Sequence, residues 1–148
     1  MKFIHEKCNI EGDVELGDWA SVWPFASIRG DEGKIIIGPN TNIQDNASIH
    51  GKTTIGRDVT IGHNAVIHGA KIGDYVVIGS NATVLDDAQI GDWCIIAAGS
   101  LVAPGAKIES GSMVMGSPGT VTRKLEEKDK DYIVAASQNY LGHIKERR

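Results

Sequence analysis

Residues 49–69 read IHGKTTIGRDVTIGHNAVIHG. Ile49, Ile55, Ile61 and Ile67 stand six residues apart, and the smaller Thr53, Val59 and Ala65 sit two places before the last three. A helix needs apolar residues at 3.6 spacing, and an ordinary strand alternates for four to eight residues before it turns. An alternation that resets every six residues means short strands joined by tight turns, with Gly, Asn and Asp supplying the turn conformations. This is the hexapeptide repeat of a parallel β-helix, in which three hexads close one triangular coil.

Outward from this stretch the series continues both ways. Towards the N-terminus it runs back through Ile43 and Ile37 to Ile28, and then through Val22, Leu16 and Ile10 to Ile4, with a three-residue insertion between Ile28 and Ile37. Towards the C-terminus it slips by one residue and continues from Ile72 to Val114. The pattern covers roughly 110 residues, or about six coils. Aromatics are only 5% of the chain, so the core must be built from small and branched aliphatic side chains. The expected fold is all-β: a parallel β-helix of about six triangular coils over residues 1–121, followed by a C-terminal α-helix over residues 122–148. In that last segment Ile133, Ala136, Tyr140 and Ile144 fall at helical spacing. They form one apolar stripe, which packs on the β-helix or on a neighbouring subunit.

The bulk properties exclude several partners. A net charge of −4 and a pI near 5.7 leave no basic face for nucleic acid or an anionic membrane. No stretch approaches the roughly 18 apolar residues of a membrane span. The opening MKFIHEKCNI lacks the apolar core of a signal peptide, and the two separated cysteines, Cys8 and Cys94, suit a reducing compartment. A cytoplasmic protein is expected.

The eighteen-residue coil places the histidines. His50 follows Ile49 and His68 follows Ile67, so both point outward from one face on successive coils, at a separation of about 4.8 Å. One coil earlier the same position is Arg29. Two imidazoles at that distance suit one metal ion. His63 belongs to another face, two residues after Ile61, and the equivalent position one coil back is Asp45, beside Gln44. A cyclic trimer would bring the His63 of one subunit to the His50 and His68 of the next, completing a three-histidine site with an open position.

The stretches RGDEG (29–33), NIQDNASIH (42–50) and IGHNAVIHG (61–69) resemble the gamma-class carbonic anhydrase family, as do GSLVAPGAKI (99–108) and MGSPGTVTRKL (115–125). The resemblance covers nearly the whole chain. It implies a left-handed β-helix and a homotrimer. His50, His63 and His68 match the metal ligands, with His63 donated by the adjacent subunit. Gln44 matches the residue that hydrogen-bonds the metal-bound water. Arg29, Asp31 and Asp45 match a charge network between subunits. Asn42 and Glu32 match positions near the bound product and the proton path. The acidic loop that follows the first histidine in the best-studied type is missing, because His50 runs straight into GKTTIG. The chain therefore resembles the loop-less branch, in which a tyrosine of the C-terminal helix approaches the metal; Tyr140 matches it.

The expected function is reversible hydration of carbon dioxide to bicarbonate by a metal-bound hydroxide at a subunit interface. Zinc is the expected metal, with iron or cobalt also suited to three imidazoles. Two rival readings stand beside it. One is a metal-binding trimer that acts as a scaffold or binding protein, without fast turnover. The other is a hexapeptide acyltransferase, which uses a single histidine base and coenzyme A bound between coils.

Overall fold

The computed structural model describes residues 1–147 and shows the solenoid that the hexads predict. Its strands are short and parallel, and they stack in three faces. On the first face Ile4, Val22, Ile43, Ile61, Ile78, Ile96 and Val114 lie in register. On the second, Ile10, Ile28, Ile49, Ile67, Val84 and Val102 do so. On the third, Leu16, Ile37, Ile55, Ile72, Ile90 and Ile108 follow. Apart from Ile4, which is exposed, these inward side chains form one continuous core with the small residues Ala26, Ala47, Ala65 and Ala82 at the corners. An inward isoleucine thus touches its counterparts above and below. Neighbouring coils are joined by backbone hydrogen bonds such as Ser48 N–H to the Ala65 carbonyl, 2.9 Å.

The corners need left-handed backbone. Between the first and second faces the turn residues are Asn46, Asn64 and Asn81, with φ of 64, 61 and 62°. Asn reaches this region more readily than most side chains. The N–H of Asn64 donates to the Asp45 carbonyl of the coil before, and that of Asn46 donates to Pro24. The three-residue insertion after Ile28 is absorbed inside one strand, Ser27–Ile37, which bulges outward and carries Asp31 and Glu32. Gly30 sits where this strand presses on the first coil. A Cβ there would lie 2.2 Å from the Asp13 carbonyl oxygen, so the middle residue of RGD can only be glycine.

The C-terminal segment differs from the expectation of a helix beginning at residue 122. Gly119–Lys124 is a strand, paired antiparallel with Ser112–Gly116, and helix α1 covers Glu127–Glu146. The reason is local: the Glu126 N–H is taken up by Asp129 Oδ2 at 2.7 Å in a capping box, which sets the start of the helix. Arg123 grips Asp129 with two contacts of 2.6 and 3.0 Å. That guanidinium holds the Asp129 carboxyl well below the usual carboxylate range. Helix α1 lies along the outside of the first face. Ile133 packs among Val77, Ile95 and Met113, and Ser137 donates to Asp58 Oδ1 at 2.8 Å. No helix among the described residues is long and apolar enough to cross a membrane.

Because the core is three files of mostly branched side chains held in fixed register, one truncation has no neighbour able to fill the gap. Ile61, with 0% exposure, is expected to cost about 2–5 kcal/mol when replaced by alanine. Urea denaturation at fixed protein concentration measures this; a loss below about 1 kcal/mol would mean the coils can collapse onto one another.

Candidate metal centre

The second face ends in a ladder of outward residues, Glu11, Arg29, His50 and His68, each in register with the next. Stacking brings Arg29 Nη2 to 2.9 Å from His50 Nε2. A guanidinium only donates, so in this contact His50 Nε2 is the bare nitrogen and Nδ1 holds the hydrogen. His50 Nδ1 stands 3.2 Å from His68 Nε2. His68 Nδ1 in turn makes a very short contact with Asp86 Oδ1. The four groups therefore form one directed line of donors, from Arg29 through both rings to Asp86.

The bulge of Ser27–Ile37 offers His50 a second arrangement. Asp31 Oδ1 lies 3.2 Å and Glu32 Oε2 3.7 Å from the same Nε2. When His50 carries its hydrogen on Nε2, Asp31 accepts it and Nδ1 becomes available as a ligand. His50 Nδ1 and His68 Nε2 then make a pair of donors. Two imidazole nitrogens bound at about 2.05 Å with a tetrahedral angle stand about 3.3 Å apart, and the observed 3.2 Å matches. Asp31 and Asp86 then each hold the outer N–H of one ring, the arrangement that orients metal-bound histidines. The donor set fits a zinc-like cation for two of its positions. Among the described residues no three His, Cys, Asp or Glu of one chain gather to hold a metal ion.

His63 stands apart, at the corner between the first and second faces. Its Nδ1 lies 3.3 Å from Asp45 Oδ1, and its side chain is 49% exposed. Gln44 is buried beside it and donates from Nε2 to Asn42 Oδ1 at 3.0 Å. Asn42, only 1% exposed, donates onward to Thr60 Oγ1 at 3.0 Å. Its amide is therefore spent on holding Gln44. Tyr140, half-buried on α1, meets Trp23 and His143 edge-on at 5.3 Å each. Burial and the Asp45 carboxylate push its phenol pKa up.

The sequence-selected residues thus fall into two clusters. Arg29, Asp31, Glu32, His50 and His68 gather at the end of the second face. Asn42, Gln44, Asp45, His63 and Tyr140 gather round the preceding corner. Arg29 pairs with His50 and Asp31, at 3.9 Å from the latter, and not with Asp45 of its own chain. Sequence reasoning missed Asp86. Eighteen residues beyond His68 is Asp86, but the one-residue slip pairs Ile67 with Val84, so Asp86 stands one residue past the register counterpart of His68.

Residues 34–69 and 69–104 match the family profile described as bacterial transferase hexapeptide (six repeats). Over 41 residues the chain is 58% identical to a Methanocaldococcus jannaschii protein named probable carbonic anhydrase. That alignment covers 28% of this chain and 26% of the other, so the match spans about a quarter of the relative's length. Whole-chain likeness comes from solved structures. A hexapeptide transferase family protein from Anaplasma phagocytophilum superposes with a TM-score of 0.93 at 37% identity, over 95% of this chain and 86% of that one. A putative acetyltransferase from Bacillus cereus superposes with a TM-score of 0.89 at 32% identity, over 96% and 88%.

The phenol of Tyr140 is expected to ionise above the ordinary tyrosine value of about 10, so it is a neutral hydrogen-bond donor throughout the physiological range. Ultraviolet titration of wild type minus Tyr140→Phe isolates this phenol. A midpoint at or below about 10 would place it in open solvent.

Proposed function

The chain belongs to the hexapeptide-repeat family, and on that premise we propose that it is a metal-dependent, carbonic anhydrase-like lyase acting at the subunit interface of a homotrimer. Its substrates are carbon dioxide and bicarbonate, and His50 and His68 of one subunit with His63 of the next hold the metal, zinc by preference with iron or cobalt as alternatives. One observation carries this reading: His50 Nδ1 and His68 Nε2 stand 3.2 Å apart with a carboxylate behind each ring. A three-fold rotation leaves height along its axis unchanged. His63 and His68 lie in the same coil, so an axis parallel to the solenoid brings the two clusters together at one level.

The bound metal supplies Lewis acidity, which lowers the pKa of a water molecule from about 15.7 to about 7. The chain supplies the rest. Gln44 has one N–H committed to Asn42, and its carbonyl oxygen accepts from the attacking water and aims its lone pair at the carbon of carbon dioxide. Asn42 is a positioning residue for Gln44. Tyr140 arrives from the subunit that gives His63 and donates to the bicarbonate oxygens. Glu32 is 3.7 Å from His50 Nε2 with its side chain 68% exposed, so it takes the released proton to solvent. Arg29, Asp31 and Asp45 balance charge across the interface, with Asp45 of one subunit facing Arg29 of another.

A second reading, an acyltransferase, is favoured by the name of the Bacillus cereus structure. Such chemistry needs one histidine base; it gives no reason for two rings meeting edge-on at 5.1 Å that each have an orienting carboxylate. Binding of acetyl-coenzyme A without stoichiometric metal would favour it. A third, a metal-binding trimer without fast turnover, is distinguished by bound metal with no hydration above buffer.

The decisive experiment mixes two defective variants. His63→Ala and His50→Ala are each expected to lose the metal and to lower carbon dioxide hydration, followed by stopped flow, at least about a hundredfold. Co-refolded, they form mixed trimers in which some interfaces hold all three histidines, and metal content and activity return in part. No recovery would sink the shared site. Asp86→Asn is expected to assemble normally and to bind zinc about 10–100-fold more weakly in a chelator competition; unchanged affinity would leave Asp86 without a role.

A further inference from the structure

The corner that bears His63 carries one residue that does not suit it. Its left-handed column runs Phe25, Asn46, Asn64, Asn81, Gly99, with φ of 64, 64, 61, 62 and 71°. Asn and Gly enter this region readily; a bulky aromatic does not, and its presence there marks strain that something else must justify. Phe25 is also 62% exposed.

Elsewhere the same oddity has a visible reason. At the corner between the third and first faces, Tyr75 and Trp93 have φ of 55 and 54°. Their rings stack at 4.4 Å, and α1 docks on them through Ile133 and Ala136, with Lys130 Nζ 5.8 Å above Trp93. Trp19, at φ 62°, lies under Lys145 Nζ at 6.0 Å. At Trp93 and Trp19 the left-handed aromatic is thus a platform with a chain segment and a cation placed over it. Phe25 is such a platform, and among the described residues no ring or cation lies over it.

We propose that the occupant is a second copy of this chain, and that Phe25 packs against the Arg29 side chain of the adjoining subunit. This rests on the homotrimer proposed above. In that assembly His63 meets the level of His50 and His68. Two coils earlier on the same corner the turn is that of Pro24 and Phe25, since Asn64 N–H bonds Asp45 and Asn46 N–H bonds Pro24. Two coils earlier on the facing ladder stand Glu11 and Arg29. Both sides step by the same coil spacing, so Phe25 arrives beside Arg29. The guanidinium is engaged at Nη2 by His50 at 2.9 Å, while its side chain remains 42% exposed. A planar, weakly hydrated cation of this kind prefers an aromatic surface over its open face. Phe25 would thus be a positioning residue: it holds the arginine that holds His50, from the subunit that donates His63.

The test compares wild type, Phe25→Asn, Arg29→Ala and the double variant by sedimentation equilibrium, with thermal melting at a concentration where subunits are separate. Asn restores the residue type that the column uses elsewhere, so the isolated subunit is expected to melt no lower than wild type. The trimer of Phe25→Asn is expected to dissociate at least about tenfold more readily, and this loss is expected to vanish in the Arg29→Ala background. If wild type does not self-associate, the trimer reading itself fails and this inference falls with it. If wild type is trimeric and Phe25→Asn assembles as tightly, the trimer stands and the role of Phe25 is overturned. If the loss persists undiminished alongside Arg29→Ala, the partner of Phe25 is not Arg29.

Discussion

Everything in this structure depends on coils that stack in register. A parallel ladder holds successive coils about 4.8 Å apart, and the register carries each side chain onto its counterpart one coil earlier. Inside, the result is a file of isoleucines; outside, it is a file of functional groups. The separation between His50 Nδ1 and His68 Nε2 needs no loop to set it. The sheet spacing sets it, and the rings are as rigidly placed as the backbone beneath them. Sites on regular elements are held more tightly than sites on loops, and here two donors, their arginine neighbour and the carboxylate Asp86 belong to one such file or stand next to it.

Where the ladder departs from regularity, chemistry follows. The insertion in Ser27–Ile37 brings Asp31 and Glu32 to the same nitrogen of His50 that Arg29 approaches. A donor and two acceptors thus compete for one atom, and the choice of His50 tautomer decides which nitrogen faces His68. The cost of the insertion is also visible: the bulge presses so close on the first coil that no side chain fits at Gly30.

Much of this was legible in the residue order, because a solenoid converts distance in sequence into distance in space with almost no ambiguity. Counting hexads placed the inward aliphatic residues on their faces, counting eighteen stacked His50 on His68, and allowing for the three-residue insertion added Arg29 to the column. The separation of His63 from that pair was equally countable. What the count could not supply were features that leave the repeat. The antiparallel strand Gly119–Lys124 has no hexad signature and straddles the expected boundary at residue 122 between β-helix and helix. Its signal lies in the capping box of Glu126 and Asp129, which starts α1 later. Family likeness sets Asn42 near the product, and no count along the sequence shows that its side chain also bonds Gln44 and Thr60. Tyr140 falls on the helix stripe as expected, but its neighbours Trp23 and His143 follow from how α1 crosses the first face, which no periodicity encodes.

The strand Gly119–Lys124 has one further consequence. A solenoid of parallel coils ends in open backbone edges, and a second solenoid could add to them as one more coil, without limit. Such edges are where β proteins aggregate. On the first face the last coil is met by a strand running the other way, and a parallel coil cannot continue the ladder beyond it. The opposite end is shielded differently. Its first coil carries Glu6, Lys7, Glu11, Asp13 and Glu15, a density of charge that a dry, stacked edge would have to strip of water. On that one face a reversal of chain direction stops the parallel ladder, and on the coil of Glu6 to Glu15 the hydration of the charges opposes stacking.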